Sequence, residues 1–78
     1  MPAPKEEYGT VIHELREKLG LTQNEFAETY NIPLSTLRKW EQNSRTPDTA
    51  AASYLIIIAR HPKLVADELA KLKKSPLR

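Results

Sequence analysis

Within the run "NIPLSTLRKWEQ", residues 31–42, four polar side chains recur at helical spacing: Ser35, Arg38, Lys39 and Gln42. At about 100° per residue they share an arc of roughly 100°, and Leu37 and Trp40 fall opposite. The arc presents a hydroxyl, a guanidinium, an ammonium and an amide, all of which donate hydrogen bonds. Donors of graded length and mostly positive sign suit the edges of base pairs, where Arg and Lys meet guanine O6 and N7 and Ser bonds to several bases. The competing reading is an idle solvated face, which needs charge alone. The surrounding sequence has to decide between them.

That face needs a helix, and the helix needs neighbours. Apolar residues recur at helical rather than strand spacing along the chain, and only two glycines interrupt it. A first helix over about Tyr8–Leu19 has Ile12, Leu15 and Leu19 on one stripe, with Gly20 ending it. In "TQNE" Thr22 and Glu25 form a capping box that opens a second helix, with Phe26, Ala27 and Tyr30 facing inward. Asn31 is the expected left-handed turn residue. Pro33 fits the start of a third helix, about Leu34–Gln42, because its missing N–H is no loss there. Asn43 closes that helix, and "SRTPD" is a loop. A fourth helix, about Thr49–Arg60, is small or aliphatic on nearly every side and must be buried or meet a partner. "HP" separates it from a fifth, about Lys63–Lys73. The expected organisation is an arm at 1–7, an all-α five-helix domain at 8–74 and a tail at 75–78.

Two helices joined by a turn of about four residues, the second with a polar outer face, make a helix-turn-helix. In that motif the second helix enters the DNA major groove and its N-terminal residues meet base edges. Leu34, Ser35, Arg38 and Lys39 are then the base-reading candidates, Leu34 through a thymine methyl. The competing role for Leu34 is a hydrophobic staple at the helix start. Gln23, at the start of the second helix, sits where an amide and free backbone N–H groups hold a phosphate. Thr36, Gln42, Asn43, Ser44 and Arg45 are the further phosphate candidates. Glu41 flanks the buried side, where an unpaired carboxylate is costly. Arg16 in the first helix is its expected partner, in a clamp between the first and third helices.

Composition excludes several other functions. There is no cysteine, so neither a disulfide framework nor a thiolate metal site is available. His13 and His61 alone make a metal site improbable, and no cofactor is expected. No nucleophile–base–acid constellation or phosphate-cradling glycine loop suggests an enzyme, and so small a core leaves no expectation of a substrate pocket. The aliphatic run "YLIIIA" is too short to span a bilayer, and "MPAPKEEYGT" lacks the apolar stretch of a targeting signal. A cytoplasmic, nucleoid-associated protein of a prokaryote or phage is expected. Net charge is +2, unevenly spread. Residues 1–30 total −3, with six glutamates against Lys5, Arg16 and Lys18. Residues 31–47 total +2 (Arg38, Lys39 and Arg45 against Glu41), and residues 48–78 total +3. An acidic front with a basic middle and tail suits one face turned to a polyanion.

"LTQNEFAETYNIPLSTLRKWEQ" followed by "RTPD" resembles the XRE (Cro/phage-repressor) helix-turn-helix family over roughly residues 10–60. The resemblance implies a phage-repressor-like fold and DNA contacts at Gln23, Leu34, Ser35, Arg38 and Lys39. It also implies an Arg16–Glu41 pair joining the first and third helices. Together with "YLIIIARHPKLV", the run further resembles HigA-type antitoxins and small prophage regulators. The chain departs from the family pattern at Asn31 and Asn43, where glycine is common, at Pro33, where a Ser or Thr cap is common, and at Leu34, usually polar.

Helices four and five carry more aliphatic surface than five short helices can bury. A two-fold dimer through Tyr54, Ile57, Ile58, Leu64, Val65 and Leu69 would cover it and set two recognition helices about 34 Å apart, one turn of DNA. The expectation is a dimeric regulator that represses its own operon through an inverted repeat in double-stranded DNA. Two other readings remain open: an antitoxin that uses the apolar surface to neutralise a cognate toxin, and a protein-interaction adaptor without DNA binding.

Overall fold

The computed structural model describes residues 8–74. Over this span the chain forms α1 (Tyr8–Lys18), α2 (Gln23–Tyr30), α3 (Leu34–Glu41), α4 (Thr49–Arg60) and α5 (Pro62–Lys74), with no strand among the described residues. The expected arm at 1–7 and tail at 75–78 lie outside the described residues. No described helix is long and apolar enough to cross a membrane.

Each boundary has a local cause. α1 stops before Gly20, which takes φ 71°, a conformation open to glycine because it lacks a Cβ. The capping box at α2 is complete: Thr22 Oγ1 accepts from the Glu25 N–H at 3.1 Å, and the Thr22 N–H donates to Glu25 Oε1 at 2.9 Å. Asn31 ends α2 in the left-handed region, φ 57°, with the next amide, Ile32 N–H, bonded back to Ala27 O. The three-residue turn Asn31–Pro33 then delivers α3. That helix stops one residue sooner than its sequence suggests: Gln42 caps it and Asn43 turns the chain at φ 60°. Asp48 caps α4 by accepting the Ala51 N–H at 2.8 Å. α5 starts at Pro62, one residue sooner than expected, since proline at a first helical position gives up no bond.

The core is one cluster of Ile12, Phe26, Ala27, Tyr30, Ile32, Leu37, Trp40, Leu55 and Ile58. It draws on α1 to α4, with α5 closing over it through Val65, Ala66 and Leu69. The Phe26 and Tyr30 rings are tilted at 4.9 Å between centroids. Two tyrosines tie the far helices down: Tyr54 donates to Tyr30 O at 2.6 Å, and Tyr30 donates to Pro62 O at 2.9 Å. Burial pushes both phenols above their ordinary pKa.

Packing corrects one expectation. Ile58, assigned from sequence to a dimer surface, is 0 % exposed within the chain's own core, and Tyr54, Val65 and Leu69 pack against that core. Of the six residues assigned there, Ile57 at 48 % and Leu64 at 57 % stay open to solvent. An open groove of about 510 Å³ runs between α1 and α4, walled largely by Val11, Leu15, Pro47, Leu55 and Ile56. Small Ala52 and Ala59 are also among its lining residues.

Candidate nucleic-acid interface

α3 divides as its periodicity requires. Leu37 and Trp40 are buried, while Ser35, Arg38, Lys39 and Gln42 are exposed on the opposite side. Among the described residues neither Arg38 nor Lys39 enters an ion pair, so both cations are free for an external anion. They also lie in the last turn of α3, where positive charge complements the helix dipole. Leu34 is half-buried and packs against the core, which fits a staple at the start of α3.

The flanking candidates are less alike than the sequence suggests. Thr36 is half-buried and lines a polar hollow of about 270 Å³ with Trp40, Arg45, Thr46, Asp48 and Ala51. Arg45 and Ser44 are exposed. Asn43 is largely committed to the fold: its Oδ1 accepts the Gly9 N–H at 3.0 Å, tying the first turn of α1 to the turn after α3. The backbone N–H groups of Asn43, Ser44 and Arg45 are also taken, by Trp40 O and Lys39 O. Any grip on an anion here falls to side chains, chiefly Arg45 and Ser44.

Between α1, α2 and α3 lies a charged network. Arg16 Nε sits 2.8 Å from Glu41 Oε2 and Arg16 Nη2 sits 3.0 Å from Oε1, a two-pronged pair. The side chains are 13 % and 8 % exposed, so water competes little for these bonds. Arg16 Nη1 donates to Leu21 O at 3.1 Å, fixing the loop that leads into α2. Gln23 Nε2 donates to Glu41 Oε1 at 3.2 Å. Burial alone would raise the Glu41 pKa; hydrogen bonds from Arg16 and Gln23, the Arg16 charge and His13 outweigh it and hold the carboxyl below its ordinary value. The same hydrogen bond, against the opposing cost of burial, raises Arg16.

His13, which the sequence marked only as a poor metal-site candidate, also joins this network. Its Nδ1 is 2.9 Å from Arg16 Nη2 and its Nε2 is 3.2 Å from Glu17 Oε2. The Nδ1 also lies 3.5 Å from Glu41 Oε1, so the ring borders both members of the Arg16–Glu41 pair. The signal was present: positions 13, 16 and 17 share a face at spacings of three and four. Among the described residues no group of three or more His, Cys, Asp or Glu is placed to hold a metal ion.

The arrangement is a rigid pair of helices that turns a cationic, donor-rich face outward. The start of α2 is held beside it by the Arg16–Glu41–Gln23 network. Residues 12–60 match the model of a helix-turn-helix family. Among solved structures, the chain is similar to a crystal structure of an HTH XRE-family like protein from Agrobacterium tumefaciens. The two are 50 % identical with a TM-score of 0.73, over 74 % of this chain and 94 % of that one. No curated protein matches.

Proposed function

Because this chain belongs to the XRE family of helix-turn-helix DNA-binding regulators, we propose that it acts as a dimeric transcriptional repressor of its own operon, binding an inverted repeat through α3. The observation that carries this reading is the outer face of α3. There Ser35, Arg38, Lys39 and Gln42 stand exposed, with neither cation in an ion pair among the described residues, on a helix anchored from behind by Leu37 and Trp40. Ser35, Arg38 and Lys39 read base edges, and Leu34 touches a thymine methyl only at the edge of its packed position. Gln23 holds a phosphate on one side of α3, and Ser44, Arg45, Thr36 and Gln42 hold phosphates on the other.

Dimerisation supplies the second half-site. Ile57 and Leu64 are large apolar side chains left about half exposed on adjoining helices, and a second copy packed on α4 and α5 would cover them. Two recognition helices then face successive major grooves about 34 Å apart. The protein works in the prokaryotic cytoplasm, on the nucleoid. Selection of bound sequences from a random duplex pool tests the reading.

One observation favours a second reading. The groove between α1 and α4, with Val11 and Ile56 about half exposed at its walls, is separate from the face of α3 and suits an apolar protein segment. An antitoxin would use it to hold a toxin while α3 regulates the shared operon. Co-purification of a small basic protein encoded beside this one distinguishes the two.

A further inference from the structure

We propose that Glu41, beyond clamping α1 to α3, is a positioning residue that orients the Gln23 amide for its phosphate contact; the inference rests on the DNA-binding reading above. An ionised carboxylate only accepts hydrogen bonds. Glu41 Oε1, 3.2 Å from the Gln23 side chain, therefore fixes which end of that amide faces α3: the nitrogen turns inward and donates. The nitrogen carries two N–H groups, and one satisfies Glu41. The second diverges from the first by about 120° in the amide plane and is left for an external acceptor.

Orientation matters because a free glutamine amide is close to two-fold symmetric in shape but opposite in polarity at its ends. Turned over, it would set a carbonyl oxygen against a phosphate oxygen, a repulsive contact in place of a charge-assisted hydrogen bond. Glu41 is well placed to prevent this. Its side chain is 8 % exposed, and both its oxygens are already fixed by Arg16 at 2.8 and 3.0 Å. The main chain at Gln23 is held independently of Glu41 by the Thr22–Glu25 capping box, while the Arg16 Nη1 bond to Leu21 O shares its guanidinium with Glu41. The side-chain amide is thus the part of Gln23 that depends on Glu41 directly. Because Glu41 is the last residue of α3 and Gln23 the first of α2, the contact also ties the phosphate anchor to the base-reading helix.

The test is a double-mutant cycle in DNA binding, by fluorescence anisotropy on a selected operator and on random duplex, at a temperature where every variant is folded by circular dichroism. Gln23→Ala is expected to weaken both duplexes about tenfold, the scale of a hydrogen bond to a charged group. Glu41→Asp keeps the charge for Arg16 but shortens the reach by one methylene; it is expected to weaken both duplexes several-fold, and to add less than twofold when Gln23 is already alanine. In the free protein, the Gln23 side-chain amide signals in nitrogen-edited NMR are expected to lose their dispersion in Glu41→Asp. Losses that multiply in the double variant, or Gln23 amide signals unchanged by Glu41→Asp, overturn the proposal and leave the DNA-binding reading intact. Wild-type protein that binds neither duplex overturns both. Should Glu41→Asp fail to fold, the same signals in wild type decide: signals at random-coil positions show that no such bond orients the amide.

Discussion

Arg16 and Glu41 meet in a two-pronged ion pair, Nε to Oε2 at 2.8 Å and Nη2 to Oε1 at 3.0 Å, across 25 residues of sequence. The pair is nearly shielded from solvent and holds α1 against the end of α3, so the orientation of the reading helix depends on it. Removing one partner leaves the other charge in a poorly solvated place. Arg16→Ala and Glu41→Ala are each expected to lower stability by about 2–4 kcal/mol in urea unfolding. Near-neutral midpoints for both variants would show that the clamp is incidental.

The depressed Glu41 pKa makes this contribution pH-dependent, with a definite sign. A carboxyl whose folded pKa lies below its unfolded value adds stability above the unfolded pKa, and that stability is lost as pH falls through the folded pKa. Melting temperatures of wild type and Glu41→Gln are therefore expected to differ most near neutral pH and to converge in acid. A gap that widens on acidification would reverse the assignment.

The two glycines should respond to alanine for different reasons. At Gly9 a new Cβ would meet Glu41 O at 2.5 Å and the Asn43 amide at 2.9–3.0 Å, forcing α1 away from the turn after α3. At Gly20 nothing lies within 4 Å, but φ is +71°, so alanine pays only in backbone strain, about 1 kcal/mol. Gly9→Ala is expected to cost more, about 1–3 kcal/mol, and thermal unfolding of the two variants ranks them.

On the DNA side, Arg38→Ala and Lys39→Ala are each expected to weaken specific binding by about 1–3 kcal/mol and to relax base choice in competition assays. Gln23→Ala should weaken all sequences alike. A change of base preference in Gln23→Ala would mean that the start of α2 lies over bases rather than the backbone.

Much of this geometry is legible in the sequence, and where it is not the reason is physical. The Thr22–Glu25 box, the left-handed Asn31 and the split face of α3 follow from local rules, because each is decided by neighbours within four residues. The commitment of Asn43 Oδ1 to Gly9 is not local: it joins residues 34 apart and appears only once α1 crosses the end of α3. Ile58 shows the same limit. "YLIIIA" is aliphatic on every side, so periodicity cannot say which isoleucine faces inward; the fold buries Ile58 and leaves Ile56 and Ile57 about half exposed. The groove beside Val11 likewise depends on how far α4 stands from α1, a distance no single segment encodes.

The central claim is that α3 reads base pairs as one half of a dimer. Selection from a random double-stranded DNA pool, with Arg38→Ala/Lys39→Ala as the control, tests it most directly. The account predicts enrichment of an inverted repeat with half-sites about 10 base pairs apart, centre to centre, lost in the control. No enrichment at moderate salt, or equal enrichment by the control, would contradict it.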